Sequence, residues 1–122
     1  MPTLTEVQKS VNYQVRRDYE CVHSERTQSL IILGLAEEAG EVAGLMKRQL
    51  RSNSRDAGKV TRERYIEELG DVLWYLAACC DQVGTNLEEI WDYNKIKLEG
   101  RYGNVECDGQ CEFPSTLYYG EN

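Results

Sequence analysis

The sequence predicts an all-α fold, a bundle of four to five helices that is completed by dimerisation. In several long segments, apolar residues recur with a period of about 3.6 residues, which is typical of amphipathic helices. Helix-capping patterns precede some of these segments. One segment is apolar on all sides, and a domain of 122 residues can rarely bury such a helix completely. We therefore expect a subunit interface to cover part of it.

The first helix is predicted to begin at the capping-box pattern Thr3-x-x-Glu6 and to end near Tyr19. Its apolar stripe consists of Leu4, Val7, Val11 and Val15. The segment that follows contains the only histidine of the chain, His23. Because metal sites need several convergent groups, a surface or packing role is favoured for this histidine over ligation.

The second helix is predicted at about residues 28–51, and it contains the first of two acidic patterns, Glu37-Glu38-Ala39-Gly40-Glu41. At about 100° per residue, Glu38 falls on the apolar stripe of this helix and Glu41 lies at the edge of that stripe. The apolar members of the stripe are Ile31, Leu35, Val42 and Leu45. Glu37 falls about 100° away from it and is expected to face solvent.

The third helix is predicted to start after Thr61, a good N-cap residue, and to end at Gly84. The second acidic pattern lies in this helix, Glu67-Glu68-Leu69-Gly70-Asp71. Glu68 shares a helix face with Tyr75, and Asp71 flanks that face. The acidic side chains of this helix are therefore also expected on a face that packs against another helix.

Four carboxylates thus stand where core-facing helices place apolar groups, those of Glu38, Glu41, Glu68 and Asp71. Residues at i and i+3 are neighbours on a helix, so antiparallel packing would bring two carboxylate pairs together. Buried carboxylates without a partner are strongly destabilising. A hard divalent cation with oxygen ligands removes that cost, so the sequence predicts a Mg²⁺ site in which Mn²⁺ can substitute. Glu67, like Glu37, is expected in solvent.

The fourth helix is predicted to begin at a second capping-box pattern, Thr85-x-x-Glu88, and to run to about Arg101. Asn94 and Lys97 are i and i+3 neighbours in this helix, and Arg101 lies one turn further on. The two cations near the end of the helix have two interpretations. They complement the helix dipole, or they bind phosphate oxygens of a substrate.

The composition limits the classes of partner. A formal net charge of −7 argues against nucleic acid as the main partner, but it does not exclude a phosphate substrate at a cationic or metal site. The N-terminus lacks a basic region followed by an apolar run, and no uncharged apolar stretch is long enough to span a membrane. With an odd number of cysteines, five, we expect free thiols and a cytoplasmic location without membrane attachment.

Three segments together resemble the MazG-like nucleoside triphosphate pyrophosphohydrolases, a family of the all-α NTP pyrophosphatase superfamily. The first covers residues 33–43 around the first acidic pattern, and the second covers residues 68–76 around the second. The third is Asn94-x-x-Lys97-Leu98 followed by Arg101-Tyr102. The resemblance extends over about residues 4–102, so residues 1–102 are predicted to form the domain and residues 103–122 an irregular tail.

The resemblance implies Mg²⁺-dependent hydrolysis of nucleoside triphosphates, most often deoxynucleoside triphosphates, between the α- and β-phosphates. The products are the monophosphate and pyrophosphate, and the role is house-cleaning of the nucleotide pool. The implied metal ligands and catalytic residues are Glu38, Glu41, Glu68 and Asp71, with Glu37 as a further catalytic candidate. The implied substrate-binding residues are Asn94, Lys97, Arg101, Tyr75 and Tyr102, with Tyr13 and His23 as weaker candidates for contact with the base. Similar proteins are homodimers or dimers of dimers.

Two alternatives remain open from the sequence. The first is a catalytically inactive helical bundle with an interaction or regulatory role. The second, a di-iron carboxylate bundle, requires Glu-x-x-His pairs that neither acidic pattern contains. The polar residues 52–60 are interpreted either as a solvated loop or as a mobile flap whose cations meet the triphosphate. Cys107 and Cys111 in the tail supply too few ligands for a structural zinc site.

Overall fold

The computed structural model describes residues 1–51 and 60–103, and these ranges contain four α-helices and no β-strand. The helices are α1 (Leu4–Asp18), α2 (Glu25–Leu50), α3 (Arg62–Val83) and α4 (Leu87–Tyr102). The predicted all-α fold is confirmed. None of these four helices combines the length and the apolar character that crossing a membrane requires. The predicted loop after α2 and the tail beyond Gly103 lie outside the described residues, except for Val60.

Local capping groups set most of the helix ends. The predicted capping box of α1 is present in full, because Thr3 accepts a hydrogen bond from the Glu6 backbone and the Glu6 carboxylate accepts one from the Thr3 backbone. Helix α3 begins after Thr61, as predicted, and ends at Gly84, whose φ of 81° is a left-handed conformation that favours glycine. Helix α2 begins at Glu25, before the predicted start near residue 28.

The predicted capping box at Thr85 and Glu88 is wrong by one residue. The N-cap of α4 is Asn86, whose side chain accepts a hydrogen bond from the Glu89 backbone at 2.9 Å. Thr85 lies outside the helix, and its hydroxyl donates to the Glu89 carboxylate at 2.8 Å. An asparagine caps a helix about as well as a threonine or better, so the sequence contained two competing starts.

Helices α2 and α3 pack antiparallel along most of their length. Two hydrogen bonds mark opposite ends of this pairing: the Cys79 thiol donates to the Ile31 carbonyl at 3.8 Å, and the Tyr65 hydroxyl donates to Gln49 at 2.8 Å. The buried core lies toward the first of these ends, and it is formed by Val11, Val15, Ile31, Ala77, Ala78, Cys80 and Leu87. The acidic patterns lie between the two ends.

Helix α1 packs against α3, and its polar contacts fix its register there. The Trp74 indole donates to Gln14 at 2.6 Å, and this partly buried tryptophan packs against the core on the α1 side. The Arg16 guanidinium makes two hydrogen bonds to Asp81, at 3.0 and 3.1 Å, and the Asp81 side chain is only 7% exposed. Bidentate pairs of this kind are among the stronger ion pairs, because both N–H groups are aligned with carboxylate oxygens.

Helix α4 contacts α1 and α3 but not α2 within the described residues. Its first turn is anchored by buried Leu87, while the rest of the helix is largely exposed. Large apolar side chains stand in this exposed part, including Trp91 at 58% and Ile96 at 70% exposure. The outer face of α3 also exposes Leu69 and Leu73. The sequence analysis predicted a subunit interface because α3 is apolar on all sides, and exposed apolar side chains of this kind are typical of interaction surfaces.

Two buried glutamines differ in how their side chains are satisfied. The Gln8 amide donates to the Ala77 carbonyl and to Asn12, both at 2.8 Å, and its carbonyl accepts from the Leu87 backbone at 3.0 Å. The Gln82 side chain is equally buried, but neither its Nε2 nor its Oε1 has a hydrogen-bond partner among the described residues. A buried polar group without a partner loses its hydration and gains nothing in return.

We therefore predict that Gln82→Met stabilises the protein by about 1 kcal/mol, because methionine has a similar shape and no amide to desolvate. The matched control is Gln8→Met, which should destabilise the protein by about 1–3 kcal/mol. This substitution leaves the Ala77 carbonyl and the Leu87 backbone N–H without their hydrogen bonds to Gln8. Chemical denaturation of the two variants measures both changes. Destabilisation by both substitutions would contradict the distinction between the two glutamines.

Candidate metal and nucleotide site

The two acidic patterns meet at the seam between α2 and α3. Glu38 is half-buried on the face of α2 that also holds buried Ile31 and Leu45. Glu68 faces it from α3, and the Glu68 side chain is only 14% exposed. Both side chains point inward because their positions in the helical period are those of the apolar core residues.

Three carboxylates converge at this seam. One oxygen from each of Glu38, Glu68 and Asp71 lies within 4.8 Å of the other two. In an octahedral Mg²⁺ site with bonds of about 2.1 Å, ligand oxygens are separated by roughly 3.0–4.2 Å. Small side-chain rotations therefore suffice for the three groups to share one ion. An all-oxygen, anionic ligand set of this kind suits Mg²⁺ or Mn²⁺.

The electrostatics of the seam also favour a cation. Partial burial raises the pKa of the Glu38 carboxyl, and the neighbouring carboxylates raise it further. These neighbours are, in decreasing order of effect, Asp71, Glu68, Glu37 and Glu41. Negative charge on Glu38 is thus opposed by its surroundings, and a bound cation would reverse this effect.

One cationic side chain of α3, that of Arg64, contacts the carboxylate cluster. Arg64 lies one turn before Glu68, with its guanidinium 3.6 Å from the Glu68 carboxylate and 4.0 Å from that of Glu67. The Arg64 side chain is 45% exposed, so solvent screens both contacts. Glu67 is itself 65% exposed, in keeping with its predicted solvent-facing position.

Two of the predicted acidic residues lie outside the group of three. Glu41 and Glu37 are both exposed on α2, and neither contributes an oxygen to the cluster. Both are close enough to affect the pKa of Glu38. The structure therefore places three of the four predicted ligands together and leaves the fourth beside them.

Tyr75 lies one turn beyond Asp71 on α3 and is half-buried, with its ring edge-to-face against Trp74 at 5.0 Å. Burial is the main cause that raises the pKa of the Tyr75 hydroxyl, followed by Tyr19 and Glu38. Tyr19, the C-cap residue of α1, packs against the same core cluster. Sequence analysis missed Tyr19 as a neighbour of the site, because only the path of the chain after α1 brings it there.

The remaining predicted substrate residues lie on a helix that contacts α1 and α3 but not α2 within the described residues. All four lie exposed on α4, which does not contact α2. They are Asn94, Lys97, Arg101 and Tyr102. Asn94 and Lys97 line the same open groove along α4, together with Tyr93. Tyr13 and His23 are likewise exposed, on α1 and in the α1–α2 connection.

Comparison with known proteins identifies the family of this chain. Residues 26–106 match the MazG nucleotide pyrophosphohydrolase domain, and this range includes α3, α4 and all of α2 except its first residue, with both acidic patterns. The chain belongs to this family. The predicted family membership is therefore confirmed.

A phage protein is also similar to this MazG-family chain. The Gene 37 protein of Mycobacterium phage L5 is 36% identical over 73 residues, which cover 60% of this chain and 64% of that protein. The chain thus spans less than two thirds of the length of this relative. The name of the relative states no activity, so the similarity supports the family and nothing finer.

The raised pKa of Glu38 leads to a test at the level of stability. The folded state holds a proton on Glu38 more tightly than the unfolded chain does, so without metal the stability falls as the pH rises through the raised pKa. Glu38→Gln removes this effect. Without metal, we predict that the variant has a higher Tm than the wild type at pH 8, and that the difference shrinks toward pH 4.

Mg²⁺ should reverse the order of the two proteins at pH 8. The wild type should gain Tm with increasing Mg²⁺ because the ion binds the folded state, whereas Glu38→Gln should gain little. Glu20→Gln, an exposed carboxylate in the α1–α2 connection, is the control and should behave like the wild type. Equal Mg²⁺ responses of the wild type and Glu38→Gln would argue against an ion at the seam.

Proposed function

We propose that the protein hydrolyses nucleoside triphosphates in a Mg²⁺-dependent reaction that yields a nucleoside monophosphate and pyrophosphate. The observation that carries the proposal is the convergence of the Glu38, Glu68 and Asp71 carboxylates at the α2–α3 seam. Membership of the MazG nucleotide pyrophosphohydrolase family supports both the substrate class and the bond that is cleaved. Deoxynucleoside triphosphates and a house-cleaning role in the nucleotide pool are the specific form of the proposal.

The acidic residues have distinct roles in this proposal. Glu38, Glu68 and Asp71 hold the ion, and Glu41 turns inward as a fourth ligand. Bound Mg²⁺ supplies neutralisation of phosphate charge and a lower pKa for a coordinated water. Glu37, which is exposed beside the cluster, would accept a proton from the attacking water. Hydrolysis then breaks the α–β phosphoanhydride, and pyrophosphate leaves.

We further propose that the substrate-binding groups of α4 act across a subunit interface. Lys97 and Arg101 would hold phosphate oxygens, Asn94 and Tyr102 would contact the substrate beside them, and Tyr75 would contact it from α3. Because α4 contacts α3 but not α2 in one chain, a second copy would supply these groups to the α2 side of each seam. A homodimer, or a dimer of dimers, satisfies this requirement and covers the exposed apolar side chains of α4.

Pyrophosphate release from a panel of ribonucleoside and deoxynucleoside triphosphates tests the activity. With Mg²⁺ we expect turnover of at least one nucleotide, equal yields of monophosphate and pyrophosphate, and no activity in the presence of a chelator. Glu38→Gln and Glu68→Gln should each lower kcat by about 100-fold or more, because each removes a carboxylate from the shared site.

Matched variants separate this proposal from its alternative, an inactive bundle with an interaction or regulatory role. Glu41→Gln reports on the fourth ligand, and Glu20→Gln should retain full activity. Turnover that does not exceed that of Glu38→Gln for any nucleotide would reject the enzyme and favour the inactive bundle. A di-iron site is disfavoured because the described carboxylate group includes no histidine.

The proposed interface predicts the oligomeric state. Light scattering should give the mass of a dimer or tetramer, and Ile96→Asp, which places a charge on the exposed apolar surface of α4, should shift the protein toward monomer. The variant should lose activity and keep its Mg²⁺-dependent gain in Tm, because the three carboxylates come from one chain. A monomeric, fully active wild type would contradict the shared site.

A truncated chain tests the proposed domain boundary. A chain truncated after residue 102 should keep the fold and the Mg²⁺ response if residues 1–102 form the complete domain. Cytoplasmic location remains part of the proposal, in line with the expected nucleotide substrate. Fractionation of cells that express the full chain would check it.

A further inference from the structure

Gly34 lies in α2 one turn before Glu38, and the space beside it is occupied by Tyr75. A Cβ atom at Gly34 would overlap Cε1 of the Tyr75 ring, and it would lie 2.6 Å from both Cδ1 and Cζ. Non-bonded carbon atoms approach each other no closer than about 3.4 Å without strain. Any other residue at position 34 would therefore displace the ring.

The close approach at Gly34 concerns the ring and not the spacing of the helices. The three atoms nearest to the missing Cβ all belong to the Tyr75 side chain. Gly40 and Gly70, which lie within the two acidic patterns, have nothing within 4 Å of the corresponding position. At Gly44 the nearest atom is a guanidinium nitrogen of Arg48, at 3.8 Å.

We call the contact of the Tyr75 ring with α2 at Gly34 the seat. The seat fixes the ring of Tyr75 and leaves its hydroxyl free. Among the described residues no hydrogen bond to this hydroxyl is formed, and the buried polar atoms without a partner all belong to Gln82. The Tyr75 hydroxyl is therefore accessible to solvent. It lies near the carboxylates, since Glu38 and Asp71 both contribute to raising its pKa.

We propose that Gly34 is a positioning residue for nucleotide binding: the absence of a side chain at this position lets the Tyr75 ring lie against α2, which holds the hydroxyl at the edge of the carboxylate cluster. The proposal rests on the proposed function, because it assumes that a nucleoside triphosphate binds at this cluster. Glu38 and Asp71 lie one turn from Gly34 and Tyr75, respectively, so the seat and the cluster share the same two helices.

A stability experiment without nucleotide tests the seat itself. Alanine favours the helix more than glycine does, so at an open position the substitution should raise the Tm. Gly44→Ala is the control for that gain. Gly34→Ala should lower the Tm in the wild-type background, because the new methyl group collides with the ring. In the Tyr75→Ala background the same substitution should raise the Tm.

A binding experiment tests what the seat does. Isothermal titration with the α,β-methylene analogues of the four common deoxynucleoside triphosphates, in the presence of Mg²⁺, avoids turnover of the ligand. For the analogue that binds best, Gly34→Ala should weaken affinity about tenfold or more, which corresponds to 1.4 kcal/mol. The gain in Tm with Mg²⁺ alone should be unchanged. Gly44→Ala should bind like the wild type.

The double variant decides between positioning and a separate effect of Gly34. Once Tyr75→Ala has removed the ring, Gly34→Ala should change affinity less than about twofold, because the two substitutions act through the same group. Where Tyr75→Ala does not fold, Tyr75→Leu replaces it. Equal effects of Gly34→Ala in both backgrounds, on Tm or on affinity, would overturn the proposal.

The remaining outcomes separate this inference from the proposed function. Failure of every analogue to bind the wild type would reject both. Binding without turnover of the natural nucleotides would reject the proposed hydrolysis and leave the role of Gly34 to be judged by the affinity ratios. Intact affinity in Gly34→Ala, together with the predicted Tm pattern, would show a seat that has no role in nucleotide binding and would overturn the inference.

Discussion

The repulsion between carboxylates at the α2–α3 seam is the constraint on which the rest of the structure depends. Glu38 and Glu68 occupy positions that in an ordinary antiparallel pair would hold apolar residues, and Asp71 joins them at the edge. Burial and the neighbouring negative charges both oppose ionisation of Glu38. An arrangement that costs stability in the free protein is expected where a ligand supplies the missing charge.

The remainder of the fold holds this seam in place. At one end, core packing around Ile31 and the contact of Cys79 with α2 join the helices, and the Arg16–Asp81 pair fixes α1 against α3. Burial raises the pKa of the thiols of Cys79 and Cys80, so both behave as small apolar groups rather than as reactive thiolates. The apolar end of the α2–α3 pair thus offsets the cost of its acidic middle.

Local sequence signals determined much of the fold. Thr3, Thr61 and Gly84 mark helix ends through hydrogen bonds or a backbone conformation that depend on a few neighbouring residues. The inward positions of Glu38 and Glu68 followed from the helical period alone. Where two capping residues stood side by side, as at Thr85 and Asn86, local rules could not choose between them.

Features that depend on how helices meet could not be predicted in this way. The seat of Tyr75 on Gly34 joins residues from two helices, and no pattern within either helix indicates it. The location of Lys97 and Arg101 away from α2 is also a result of packing, since the sequence places them on a helix but not beside a neighbour. The comparison with known proteins shows the family, and the geometry shows which carboxylates lie close together.

Anomalous diffraction from crystals grown with Mn²⁺ tests the central claim most directly, because it locates the ion independently of activity and stability. We expect an anomalous peak between α2 and α3, within about 2.5 Å of carboxylate oxygens from Glu38, Glu68 and Asp71. A fully occupied Mn²⁺ site elsewhere in the molecule, or well-ordered carboxylates at the seam without a peak, would contradict the account.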